Sequence, residues 1–113
     1  MHELSIAESV LEIVEAAAQR NDATRVGAIR LEIGALSCVD PAALRFCFDA
    51  VTRGSIAEGA QLAIDTTRGM AWCMPCSEAV PLAALGEACP RCGGYQLQVT
   101  QGDAMRVKDI EVA

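Results

Sequence analysis

The stretch Cys73-Met74-Pro75-Cys76, followed after twelve residues by Cys89-Pro90-Arg91-Cys92-Gly93-Gly94, decides how this chain is organised. Two Cys-x-x-Cys turns that face one another can set four sulfurs at the corners of a tetrahedron. That arrangement suits zinc, at about 2.3 Å from each sulfur, or iron–sulfur chemistry. Pro90 fixes one backbone angle and Gly93-Gly94 tolerate positive φ, as a tight metal-binding turn requires. A rubredoxin-like single iron uses similar turns and is the weaker alternative. A redox dithiol accounts for one pair and leaves the other unexplained. Four thiolates leave no open coordination position, so the Zn(2+) expected on Cys73, Cys76, Cys89 and Cys92 is structural and not catalytic.

Outward from these pairs the pattern changes. Toward the N-terminus, Leu4, Ile6, Val10, Ile13, Val14 and Ala17 follow helical spacing, with Glu8, Glu12 and Glu15 on one exposed stripe and Asn21-Asp22 as a stop. Ile29, Leu31 and Ile33 alternate with Arg30 and Glu32, which predicts a half-buried strand closed by Gly34. Asp40-Pro41 then offers an N-cap side chain and a proline at the first helical position, opening a helix with Leu44, Cys47, Phe48 and Val51 on its buried face, to about Gly54. Leu62 and Ile64 mark a second strand. Met105 and Val107, then Ile110 and Val112, mark a third whose phase slips near Lys108-Asp109, as at a bulge. The fold class expected is α+β: a small three-stranded sheet with two helices, plus an inserted zinc-ribbon module. The body comprises residues 1–67 and 103–113, and the ribbon 68–102. Such a ribbon is too short to hold a core without its metal.

Composition narrows the function. The chain has 113 residues, 9 Lys+Arg against 15 Asp+Glu, and a formal charge of −6. An acidic protein is a poor ligand for phosphate backbones or anionic membrane surfaces. The ribbon itself sets Arg68 and Arg91 against Glu78 and Glu87, which leaves it neutral where a nucleic-acid-binding ribbon would be basic. No apolar run approaches the roughly 20 residues of a membrane span. Met1-His2-Glu3 lacks the basic and apolar regions of a signal peptide. Six cysteines without a secretory signal point to metal chemistry in a reducing, cytoplasmic setting. Cys38 and Cys47 stand apart from the pairs and are expected as small buried hydrophobes. An enzyme is not expected, because the single His is terminal, no phosphate loop occurs and the zinc site is closed.

The only histidine is His2. A histidine near a chain end is ordinarily a solvated side chain, but this position offers chelation. The α-amine of Met1, the amide nitrogen of His2 and its imidazole can close fused rings around one ion. The amine titrates at about 7.7–8.0 and imidazole at about 6.5, so both shed protons near neutrality. The amide ionises only under a strongly polarising cation, and nickel(II) and copper(II) favour the square-planar, nitrogen-rich geometry that results. The Glu3 amide or carboxylate can supply a fourth donor.

With these features together, the sequence resembles the HypA/HybF family of nickel metallochaperones in [NiFe]-hydrogenase maturation. The resemblance is carried by Met1-His2-Glu3-Leu4-Ser5, by the double Cys-x-x-Cys with its Cys89-Pro90-Arg91-Cys92-Gly93 turn, and by Thr100-Gln101-Gly102-Asp103-Ala104-Met105-Arg106. It implies an accessory protein that binds Ni(2+) transiently through His2 and Met1, with Glu3 and Asp40 near or within the site, and keeps a structural zinc ribbon. It further implies a HypB-type GTPase partner and delivery to the hydrogenase large subunit. A homodimer, including one formed by swapping, is compatible with an inserted module. The competing reading from another class is a zinc-ribbon interaction module with no second metal.

Overall fold

The computed structural model describes residues 2–113. Its elements are α1 (Glu3–Arg20), β1 (Val26–Gly34), a short 3₁₀ turn (Ala35–Ser37), α2 (Pro41–Val51), β2 (Gln61–Thr67), β3 (Met70–Cys73), β4 (Glu78–Pro81), β5 (Leu97–Gln101) and β6 (Met105–Val112). They form two three-stranded sheets, of order β2-β1-β6 and β4-β3-β5. Among the described residues no helix is long and apolar enough to cross a membrane. The chain divides into two compact units: one takes the chain up to Leu31 with Val39–Asp65 and Val107–Ala113, the other Glu32–Cys38 with Thr66–Arg106.

In the first unit α1 lies against α2. The helix turns Ile6, Ala7, Val10, Val14 and Ala18 inward, where the small Ala7 and Ala18 admit close packing. Leu4 and Ile13, expected on this face, are each 48% exposed. The buried arc is shifted by about one residue, and alanines fill positions where the sequence offered larger side chains. Glu8, Glu12 and Glu15 are exposed, as their stripe predicts. Asn21 caps the helix end, and Asp22 turns away from it at φ +51°. Val26, Ile29 and Leu31 of β1 are buried, whereas Leu62 and Ile64 on the edge strand β2 are only half-buried. In β6 the half-buried positions Met105, Val107 and Ile110 show the expected phase slip.

Asp40 is the N-cap of α2, its Oδ1 accepting from the Ala42 N–H at 3.0 Å, with Pro41 next in line. The inner face of α2 carries Leu44 and Phe48, and Thr52 closes it by donating to the Phe48 carbonyl at 2.8 Å. Among the described residues Phe48, at 2% exposure, is the only aromatic side chain in the core.

The second unit contains the expected 68–102 ribbon and more. β3 pairs antiparallel with both β4 and β5, placing Ala71 opposite Val80 and Val99, and Cys73 opposite Leu97. Leu36 from the 3₁₀ turn is buried with Ala71 and Leu82, so residues 32–38 belong to the ribbon's core. Close backbone approach explains Gly34 and Gly69: a Cβ on Gly34 would lie 2.0 Å from the Gly102 carbonyl oxygen, and one on Gly69 2.3 Å from that of Leu82. The Leu36 N–H donates to the Gly102 carbonyl at 2.8 Å, locking the turn onto the ribbon.

The inner face of α2 gives a test. Phe48→Ala should cost about 3–5 kcal/mol in denaturant unfolding, as for an aromatic removed from a filled core. A loss near zero would show that Phe48 does not anchor the first unit.

Candidate metal centre

The ribbon builds its metal site from two turns. β3 ends at Cys73, the chain reverses through Met74 and Pro75, and the Ser77 N–H closes the turn on the Cys73 carbonyl at 2.8 Å. Ser77 takes φ +52° as the chain enters β4. In the second turn the Gly93 N–H donates to the Cys89 carbonyl at 2.9 Å and the Cys89 N–H to the Gly94 carbonyl at 2.8 Å. Gly93 adopts φ +73°, the conformation its lack of a Cβ permits. Cys73 and Cys89 are buried beside Val80 and Leu97, Cys76 is half-buried and Cys92 is exposed.

All four Sγ atoms lie within 4.8 Å of one another. Cys73 and Cys92 Sγ are 3.6 Å apart. A disulfide would bring them to about 2.05 Å. Sulfurs at tetrahedral corners around zinc, each about 2.3 Å from the ion, stand about 3.8 Å apart. The cluster therefore has the dimensions of a zinc tetrathiolate. All six cysteines are free thiols.

Hydrogen bonding agrees with that assignment. The Arg91 N–H points at Cys89 Sγ and the Gly94 N–H at Cys92 Sγ, each at 3.4 Å, so backbone dipoles face the sulfur charge. A backbone N–H from Cys92 pulls the Cys89 thiol down to about 7, against the opposing effect of its burial. Thiol hydrogen bonds from Cys73 and Cys92 instead push Cys76 up to about 12. For Cys73 the Cys76 N–H acts downward, but burial and the Cys92 and Cys89 thiols carry the net shift upward. One thiol thus ionises near neutrality while a neighbour clings to its proton. Four thiolates can coexist here at pH 7 only if a cation neutralises them. Arg91 also pairs with Glu78 at 2.6 Å, but the pair is well exposed and contributes little stability.

The N-terminal candidates are placed differently. Met1 lies outside the described residues. His2 is the N-cap of α1, exposed, in an extended conformation (φ −73°, ψ 144°), and its side chain makes no capping hydrogen bond. Glu3 is the first helical residue and is half-buried. Asp40 is exposed at the start of α2 and commits one oxygen to its cap. Among the described residues these three do not form a ligand cluster; the four cysteines do. Cys38 is exposed at φ +58° behind the 3₁₀ turn and Cys47 is half-buried, so neither is the fully buried hydrophobe expected. The strands β3, β4 and β5 and the buried Leu36 are further features that the spacing of the cysteines overshadowed, although Ala71, Cys73, Val80, Leu97 and Val99 do alternate with exposed neighbours.

Zinc analysis of purified protein should give about one ion per chain. Cys76→Ser should lower retention and, with a chelator, release the metal together with protected amides of the 66–106 segment. Because binding displaces thiol protons, zinc affinity should fall as pH drops below neutrality. Undiminished zinc in Cys76→Ser would remove that residue from the ligand set.

Comparison with known proteins gives a consistent result. The family model described as "Hydrogenase/urease nickel incorporation, metallochaperone, hypA" matches residues 1–112. The chain is 57% identical over 112 residues to "Hydrogenase maturation factor HypA" of Albidiferax ferrireducens, covering 99% of each chain. It is 55% identical over 112 residues to the protein so named from Dechloromonas aromatica, again covering 99% of each. Its fold matches the solution structure of the Ni metallochaperone HypA from Helicobacter pylori with a TM-score of 0.74 at 27% identity, covering 99% of this chain and 97% of that one. A second solution structure of a HypA protein matches with a TM-score of 0.71 at 28% identity, covering 100% and 97%. These are metal carriers and not enzymes, and the tetrathiolate cluster fits the structural zinc beside a transient nickel cargo. The chain belongs to the HypA family of hydrogenase/urease nickel-incorporation metallochaperones.

Proposed function

We propose that this protein binds Ni(2+) at its N-terminus and delivers it to the [NiFe]-hydrogenase large subunit, working with a HypB-type GTPase in the cytoplasm. The observation that carries the reading is His2 at the N-cap of α1 with an uncommitted imidazole. N-cap positions favour Ser, Thr, Asn or Asp, whose oxygens satisfy the free N–H groups of the first turn. Histidine supplies no such bond here, so the helix gives no reason for it. Nickel coordination does.

The backbone supports the same reading. A helix starting at Glu3 leaves its first amide nitrogens without intrahelical acceptors, so those of His2 and Glu3 are free to become ligands. The His2 carbonyl is held by the Ile6 N–H at 3.1 Å, which fixes the His2–Glu3 peptide and with it the Glu3 nitrogen. The Met1 amine and the His2 imidazole then complete a nitrogen-rich square, with the Glu3 carboxylate next in the chain; among the described residues Asp40 forms no cluster with them and would have to approach on binding. Ligands at a chain end rearrange easily, which suits a cargo that must be released. The ribbon's closed site suits an ion that stays.

Nickel titration of the untagged protein tests this. His2→Ala, and separately one residue added before Met1, should each abolish the tight site and leave zinc content unchanged. Protonation of the amine and imidazole opposes binding, so affinity should fall at least about 100-fold between pH 7.5 and 5.5. If the extended chain binds nickel as tightly as the native one, the N-terminal assignment is wrong.

A further inference from the structure

The four cysteines of the ribbon do not meet solvent equally. Cys73 and Cys89 are buried, Cys76 is half-buried, and Cys92 alone is exposed. The chain that follows Cys92 leaves its sulfur uncovered. A Cβ on Gly94 would lie 3.4 Å from Cys92 Sγ, in contact with it. Gly93 needs to be glycine for its φ of +73°, whereas Gly94 is not at positive φ, so its backbone conformation does not require one. On the other side of Cys92 the buried Cys73 Sγ stands 3.6 Å away, in thiol–thiol hydrogen-bond contact. One sulfur thus faces water with a shielded sulfur behind it.

Zinc has no redox chemistry, so any electrons this site gives up come from sulfur. An exposed thiolate reacts with peroxides to a sulfenic acid, which condenses with an adjacent thiol. We infer that Cys92 is a site of oxidation by hydroperoxides and that Cys73 resolves it, forming a disulfide across the two turns and freeing the zinc. In the first step Cys92 Sγ attacks one peroxide oxygen. An S–O bond forms, the O–O bond breaks, and the departing hydroxide takes a proton to become water. In the second, Cys73 Sγ attacks the Cys92 sulfur from the side opposite its solvent-facing oxygen. The S–S bond forms, the S–O bond breaks, and a second hydroxide leaves as water. The two sulfurs together lose two electrons and the peroxide gains them. The gap closes by about 1.5 Å, to about 2.05 Å. Cys76 and Cys89 remain as the only two thiolates, too few for a closed site, and take up protons as the ion departs. Spacing alone suggests a bond within one Cys-x-x-Cys pair; the contact seen here joins one cysteine from each. The inference rests on the tetrathiolate assignment and gives that closed site a chemistry of its own.

Hydrogen peroxide is the probe. Zinc-loaded protein in a Cys38→Ser/Cys47→Ser background, which removes the two thiols outside the cluster, is titrated with peroxide while free zinc is followed with a chromogenic chelator. Free thiols should fall from four to two per chain as one zinc ion is released. Peptide mapping should find Cys73 joined to Cys92. A thiol reductant with added zinc should restore the protected amides of the 66–106 segment, because a disulfide is reversible.

Gly94→Ala tests access without touching a ligand. It keeps the N–H that donates to Cys92 Sγ and sets a methyl group against that sulfur. It should hold zinc as tightly as the parent protein and release it severalfold more slowly under peroxide. Zinc retained in excess peroxide overturns the inference, as does a bond within Cys73–Cys76 or Cys89–Cys92, or a release rate that Gly94→Ala leaves unchanged. Protein that carries no zinc before peroxide is added overturns the ligand assignment, and the inference with it.

Discussion

Four sulfurs within 4.8 Å of one another constitute a problem of charge that the ribbon cannot solve with protein atoms alone. Backbone N–H groups relieve part of it at Cys89, whose thiol drops to about 7, but the relief is uneven and Cys76 rises to about 12. A divalent cation at the centre replaces the competing protons and makes all four groups equivalent. The metal also decides whether this segment folds. Its buried side chains are few: Leu36, Ala71 and Leu82 in one cluster, Cys73, Val80 and Cys89 in the other, with Leu97 packed against both. Two of the second cluster's three buried residues are the ligands themselves. Against so small a core, the roughly 10–16 kcal/mol of a structural zinc site is the dominant contribution.

That dependence explains what could be read from the residues beforehand. Ligand spacing is a local property, so the four cysteines announce their site directly. Asp40-Pro41 likewise encodes a helix start in two adjacent residues, and the cap is found where it was expected. Leu36 is different. Nothing near it marks it as part of the ribbon; its burial comes from Gly34 and Gly69 allowing backbones to cross at distances that no Cβ would permit, and partners from distant parts of the sequence create that requirement. Leu4 and Ile13 fail for a related reason: helical periodicity fixes a stripe only to within a residue, and packing of α1 against α2 selects the alanines.

Phe46 and Phe48 show the limit of pattern most plainly. They sit two residues apart with the same side chain, one 77% exposed and the other 2% exposed. Periodicity places Phe48 on the inner face beside Leu44, which leaves Phe46 outward whatever its hydrophobicity. Sequence reading names the inner face and has no rule for an apolar outer one, because within a single chain nothing covers it.

On the proposed reading, the protein must also keep two metals apart without ranking them by affinity, since most nitrogen and sulfur ligands hold zinc and nickel comparably well. Chemistry at the start of α1 provides the discrimination. The N-terminus of a helix carries partial positive charge and repels a bare cation, while it favours a peptide nitrogen that has become anionic. A metal gains that site only by driving amide deprotonation, which square-planar nickel(II) does and tetrahedral zinc has no geometric reason to do. The ribbon imposes the opposite demand: four soft thiolates at tetrahedral corners, with no position left for a planar ion. Coordination geometry thus sorts the metals, and the same helix end that selects nickel exposes its ligands to the protons that can displace it.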